Sequence, residues 1–211
     1  MTPQFAALTR QRFRRFFQPS RIVLAVIPAD VDSGLNVVTL CFDMHCSYKP
    51  PMMAIAIQNI NASYEQIQRA HEYVLVVPGP SLVTETLFCG SMSSRQTDKV
   101  KSLKLDLCPS AVVAVPGLSR AIANIELAKR SSVETGDHLV VFGEVIRFSV
   151  NTELNELPLL SIGPVTQGYR LLAQQGIHRI GTVQPHADVA GASRASRHVE
   201  RASTQNRRRA R

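Results

Sequence analysis

Between Cys41 and Lys49 the chain gathers two thiols, a phenyl ring, a carboxylate, an imidazole, a hydroxyl, a phenol and an amine. They belong to Cys41, Phe42, Asp43, His45, Cys46, Ser47, Tyr48 and Lys49, and Pro50-Pro51 closes the run. Each proline fixes its own φ, removes an N–H donor and pushes the preceding residue toward extended geometry. The pair therefore stiffens the entry to the apolar segment Met52 to Ile57. A stiff corner carrying aromatic and small polar groups suits a flat, polar-edged ligand; the competing reading is a plain surface loop between two strands.

More specific chemistries do not follow from these residues. Cys41, His45 and Cys46 suggest a metal, but zinc sites use four ligands, usually as two spaced pairs. Cys89 and Cys108 stand alone, so no second pair exists. A Cys-His nucleophile lacks a nameable third group to orient the base. No glycine-rich dinucleotide fingerprint or P-loop occurs. By chemistry alone His138, after Gly136-Asp137, reads as a packed histidine, and Lys99, after Asp98, as a solvated charge.

The elements that must position these groups are short and mostly strands. Arg21 to Ile27 reads as the first strand, and Pro28 to Leu35 as a turn region broken by Asp32, Ser33 and Gly34. Val37 to Leu40 leads into the corner. Asn61 or Ser63 is suited to cap a helix to about His71, with Glu65 favourable in its first turn. Tyr73 to Val77 reads as a strand stopped by Pro78-Gly79-Pro80. Ser81 caps a second helix to about Cys89. Gly90 to Thr97 reads as a small polar loop, Asp98 to Leu105 as a short helix and Ala111 to Val115 as a strand. Ala121 to Lys129 and His138 to Val150 form a hairpin, joined through Ser131 to Asp137 with a Gly-Asp turn. The segment after Pro158 gives a last strand followed by a helical turn. These elements predict a mainly β, α+β domain: a closed or nearly closed antiparallel barrel with helices at its side and ends.

The chain has 211 residues, 45% of them hydrophobic, and no tryptophan, which gives one domain with an aliphatic core and appendages. Residues 1–20 form a basic N-terminal extension in which arginines alternate with Phe13, Phe16 and Phe17, as in a short amphipathic helix. Residues 21–181 form the domain. Residues 182–211 are rich in Ala, Ser, Arg, Gln and Asn, bury too little apolar surface to order, and are expected to be a disordered tail. The formal net charge of +8 comes largely from the two ends. The tail lacks the interleaved aromatics that base stacking needs, so nucleic acid is disfavoured as a partner. The apolar runs are far short of a membrane span, and a cytoplasmic location with reduced thiols follows as the simplest expectation.

Taken in order, several stretches resemble the flavin reductase-like family with the FMN-binding split-barrel fold, which includes flavoredoxins. The carrying residues are Asn36 and Thr39 before Phe42, then Ser47-Tyr48-Lys49-Pro50-Pro51. Asn61-Ala62-Ser63, the small-residue loop from Ser91 to Lys99, Glu126, Gly136-Asp137-His138, Gly143-Glu144-Val145 and Pro158-Leu159-Leu160 follow. The resemblance covers about Arg21 to Tyr169. It departs from the family where Phe42 replaces a frequent tryptophan, Lys49 an acidic residue, Cys41 a small polar residue and Ser161-Ile162-Gly163 an aromatic-glycine ending.

What this resemblance implies is a homodimeric barrel with FMN near the subunit interface. Asn36, Thr39, Leu40, Cys41 and Phe42 would line the isoalloxazine ring. Cys46, Ser47, Tyr48 and Lys49 would meet its polar edge or ribityl chain. Ser63, with Asn61 beside it, and Lys99 would hold the phosphate, and His138 and Tyr169 would approach the flavin. The implied activity is hydride transfer from NADH or NADPH to bound flavin, with an acceptor or monooxygenase as a partner. The alternative is a non-catalytic FMN-binding electron-transfer or flavin-storage protein on the same fold.

Overall fold

The computed structural model describes residues 17–29, 34–162, 169–175 and 180–185. Most of the basic extension and the chain beyond residue 185 lie outside them. The chain enters through a two-residue strand β1 (Ser20–Arg21) and continues into β2 (Val23–Pro28) and β3 (Leu35–Leu40). The corner follows, and then β4 (Asp43–Tyr48) and β5 (Pro51–Gln58). Helix α1 (Ala62–Arg69) precedes β6 (Glu72–Val77). A 3-10 turn, Pro80–Leu82, opens into α2 (Val83–Ser91), and α3 (Lys99–Leu103) follows a polar loop. Short strands β7 (Leu107–Cys108) and β8 (Gly117–Leu118) lead to the long hairpin of β9 (Ala123–Thr135) and β10 (His138–Val150). The last strands are β11 (Leu160–Ser161), β12 (Tyr169–Gln175) and β13 (Ile180–Pro185).

The main sheet has the order β3-β2-β6-β9-β10-β5-β4. Its pairs are antiparallel, and its two edge strands, β3 and β4, are consecutive in the chain. The two edges are joined through residues 41–42, and the Ala56 N–H of β5 donates to the Phe42 carbonyl at 3.0 Å. That is the antiparallel barrel expected from the pattern, with its corner at the stretch richest in functional groups.

Strands β2 and β6 are apolar at nearly every position because both of their faces are covered. Val23, Ala25, Ile27, Tyr73 and Leu75 point into one core with Val38, Leu40, Met53, Ile55 and Leu127. Leu24, Val26, Val74 and Val76 point the other way, toward Leu82, Cys89, Leu105 and Leu118 from the helices and loops outside. The two-residue period thus sorts one strand into two cores. On β3 the same alternation puts Val38 and Leu40 inside and Val37 outside.

Five sequence expectations need correction. The stretch from Asp43 to Tyr48 is not a loop but the edge strand β4, with a register shift between His45 and Ser47 where Cys46 is accommodated as a bulge. Residues 131–135 continue β9, so the connection is the two-residue turn Gly136-Asp137; Gly136 has φ +58, a conformation that glycine adopts without strain. Residues 111–115 form no strand. Their N–H groups turn toward carboxylates: Ala111, Val112 and Val113 donate to Glu126 at 3.0, 2.7 and 3.1 Å, and Ala114 donates to Glu72. The segment after Pro158 is extended rather than helical in its described part, since Tyr169–Gln175 pairs with β13. That pairing also runs past the expected tail boundary, with Val183, Gln184 and Pro185 in register with Leu171, Arg170 and Tyr169.

Helix starts also differ in detail. Asn61 is at the N-cap of α1 but its side chain makes no capping bond. Ser81 caps nothing; its hydroxyl donates to Glu156 at 3.0 Å. Asp98 does cap α3, accepting from the Lys101 N–H at 3.0 Å.

Candidate functional site

Two groups of side chains flank the β3–β4 corner. The first is on the outer face of β3. Thr39 is half-buried there and its hydroxyl donates to the Thr86 carbonyl of α2 at 2.6 Å. At the end of α2, Gly90 brings backbone close to this threonine: a Cβ at Gly90 would be 3.3 Å from that of Thr39. Beyond it the loop 91–98 carries Ser91, Ser93, Ser94 and Arg95. The Ser94 hydroxyl oxygen is buried without a hydrogen-bond partner. Arg95 is exposed and 3.5 Å from Glu65. Hydroxyls and a guanidinium within one short loop are groups that can receive an anion.

The second group lies at the β4 and β10 side of the corner. The Phe42 ring is 54% exposed. Its centroid is 5.4 Å from that of His138, with the ring planes at 43°. His138 Nδ1 and Asp137 Oδ1 are 2.6 Å apart, and this bond is the main reason the Asp137 carboxyl is held below the ordinary carboxylate range. An exposed ring beside an imidazole offers an apolar face and a polar edge to a flat heteroaromatic ligand. Cys41 and Phe42 are adjacent, so the corner joins the two groups.

The strand period divides the residues expected along the ring. Thr39 faces outward to α2, whereas Leu40 points into the barrel core. Asn36 is 1% exposed, and its amide donates to the Ser63 hydroxyl at 2.9 Å and to Gln66 at 2.6 Å. Asn36 and Leu40 therefore face away from any ligand that lies against Thr39. Ser63 is 3% exposed and serves that interior network, so it is not presented to a phosphate at the start of α1. Asn61 is exposed. Lys99 is 3% exposed, and its ammonium donates to the Val37 carbonyl at 2.8 Å and the Cys89 carbonyl at 3.0 Å. It is turned into the domain, not toward an anion. Cys46, Tyr48 and Lys49 are exposed on β4 and its turn, with Ser47 half-buried between them. The side chain of Tyr169 lies outside the described residues.

Ser94 and Arg95 were not singled out by sequence reasoning. The signal for them is the run of hydroxyl side chains between Gly90 and Asp98, which the family resemblance marks as a small-residue loop without distinguishing these two positions. Asp43, one of the corner's chemistry-bearing residues, serves the fold: its side chain is 1% exposed and pairs with Arg21 at 2.7 Å, which ties the start of β4 to β1. Among the described residues no three His, Cys, Asp or Glu side chains converge as a metal ligand set, and none of the four cysteines is in a disulfide.

Residues 14–166 match the profile of the flavin reductase like domain. An uncharacterized protein of Archaeoglobus fulgidus is 31% identical over 111 residues, which is 53% of this chain and 63% of that protein. The chain thus spans slightly less than two thirds of that relative. Among solved structures, an FMN-binding protein from Thermus thermophilus superposes with a TM-score of 0.66 at 18% identity, over 77% of this chain and 92% of that one. An NADH:FAD oxidoreductase of Streptomyces globisporus superposes with a TM-score of 0.66 at 17% identity, over 76% and 94% of the two chains. At these identities the superpositions establish the split-barrel fold. The profile match covers the barrel, the corner and the 91–98 loop together, and this chain belongs to the flavin reductase like family.

Proposed function

We propose that this protein binds FMN at the β3–β4 corner and takes reducing equivalents from NADH or NADPH through it. The observation that carries this reading is the buried Ser94 hydroxyl without a partner, set in a hydroxyl-rich loop beside Thr39. A buried polar group left unpaired costs about 1–3 kcal/mol, so a ligand oxygen that meets it is stabilised there. The residues present fit a flavin nucleotide. Ser91, Ser93, Ser94 and Arg95 would hold the phosphate. Phe42 would cover the apolar part of the ring system, and His138 and the β4–β5 turn would meet its polar edge. When bound, FMN supplies hydride acceptance, and the protein's task is to bind it, orient it and bias its electronics. Such chemistry requires no acid–base triad. We place this chemistry in the cytoplasm.

We infer further that two copies assemble. Ile146, Phe148 and Val150 on the half of β10 beyond its pairing with β5 are 39%, 59% and 53% exposed, an apolar strip that a second copy would cover. A monooxygenase or another acceptor would then receive the reduced flavin.

The deciding experiment is the absorption spectrum of the purified protein, recorded before and after NADH or NADPH under anaerobic conditions. A yellow protein that bleaches with either nucleotide supports the full reading. A yellow protein that neither nucleotide bleaches leaves FMN binding for electron transfer or storage. A protein that is colourless and does not quench added FMN fluorescence refutes the flavin site.

A further inference from the structure

We propose that Lys99 is a positioning residue that staples the 91–98 loop to the barrel and does not itself touch the ligand. The proposal rests on the reading that this loop belongs to the flavin site. Lys99 stands at the C-terminal end of the loop, as the first residue of α3. Its ammonium bonds at 3.0 Å to the carbonyl of Cys89, in the last turn of α2, just before the loop begins. One side chain therefore grips both ends of the loop. A second bond, 2.8 Å to Val37 O, ties that grip to β3, two residues from Thr39.

Nothing else described anchors the loop so firmly. Its own hydrogen bonds are local: Met92 N–H donates to Phe88 O, and the Gln96 and Thr97 N–H groups both donate to Ser93 O. Its other tie is the exposed Arg95–Glu65 pair at 3.5 Å, and exposed pairs of this kind contribute little. Among the described residues no carboxylate lies within salt-bridge distance of Lys99, so two carbonyl dipoles replace the water around this ammonium. Burial accordingly depresses its pKa. Loss of this ammonium would take a charged donor from both carbonyls at once.

The test uses the full chain carrying Lys99→Met, which keeps length and removes the donor, and Lys99→Arg, which keeps the charge with a broader head group. Amide hydrogen exchange is measured without ligand, and FMN and riboflavin are titrated by flavin fluorescence. In Lys99→Met the amides of residues 91–98 should exchange about ten- to a hundred-fold faster while β2 and β6 are unchanged. Because this loop is read as the seat of the phosphate, FMN should lose affinity as the loop loosens, and riboflavin, which lacks the phosphate, should lose less. Lys99→Arg should show both effects, reduced in size, and supplies the same readouts should Lys99→Met fail to fold. Unchanged exchange in the loop overturns the proposal. An FMN loss with the exchange of residues 91–98 unchanged would put the ammonium on the phosphate instead. A wild-type protein that binds neither flavin refutes the site reading, while the exchange data still decide whether Lys99 holds the loop.

Discussion

Replacing Gly143 with alanine drives a methyl group into the hydroxyl of Tyr73. Tyr73 rises from β6 and its ring spans the barrel interior to β10, where Gly143 sits in register with Met53 and Lys129. A Cβ at position 143 would overlap the Tyr73 hydroxyl oxygen and lie 2.9 Å from both Tyr73 Cζ and Leu127 Cδ2. The constraint is space, since the backbone of Gly143 is not left-handed. Neither neighbour can move aside, because Tyr73 and Leu127 are both 0% exposed. Overpacking of this kind costs about 1–3 kcal/mol. Alanine returns roughly 0.5–1 kcal/mol through lower chain entropy in a strand. The net loss should be about 1–2 kcal/mol, or roughly 2–8 °C in Tm for a chain of this size. Tyr73→Phe tests the cause. The Tyr73 hydroxyl is buried without a partner, and burial pushes its pKa up. Removing it should be neutral or stabilising. In the double variant the hydroxyl overlap disappears, so the loss should be smaller than the sum of the single effects by about 0.5–1 kcal/mol. Urea unfolding followed by far-UV circular dichroism measures all three, since the chain has no tryptophan to report. A neutral Gly143→Ala, or strict additivity in the double variant, would refute the reasoning.

Other expectations follow from the same packing. Glu126→Gln should destabilise the fold by about 2 kcal/mol, because three backbone N–H groups of residues 111–113 lose a charged acceptor. Burial alone would raise the Glu126 pKa, but those N–H groups outweigh it and hold it below the ordinary value. Its stabilisation is therefore complete above the unfolded glutamate value of about 4.3 and is lost as pH falls through the lower folded value. Urea midpoints between neutral and acid pH should show a shallower acid decline in Glu126→Gln, and identical declines would count against it. Phe42→Ala should leave Tm nearly unchanged, since the ring is largely exposed, and weaken FMN by up to about ten-fold; unchanged FMN fluorescence titrations would remove Phe42 from the site. Truncation after Pro185 should leave Tm unchanged, whereas truncation after Arg179 removes β13, the strand that pairs with both β11 and β12, and should lower it.

The sequence by itself determined the class of fold. Short apolar runs with turn signals predict an antiparallel barrel, and the motifs from Asn36 to Leu160 carry the family resemblance without any coordinates. It did not determine which side of a strand a residue serves. Asn36, Thr39 and Leu40 lie within one short stretch, yet only the sheet's neighbours decide that Thr39 meets α2 while Asn36 and Leu40 turn inward. Lys99 reads as a solvated charge because nothing near it in the chain can satisfy an ammonium. Its Val37 partner is brought by the packing of β3 against α3. Residues 111–115 look like a strand because they are apolar, and they fail to become one because Glu126 and Glu72 take their N–H groups. Local pattern fixes backbone preference and hydrophobic period. Hydrogen-bond partners and facing surfaces come from segments distant in the chain, and so only the tertiary structure decides them.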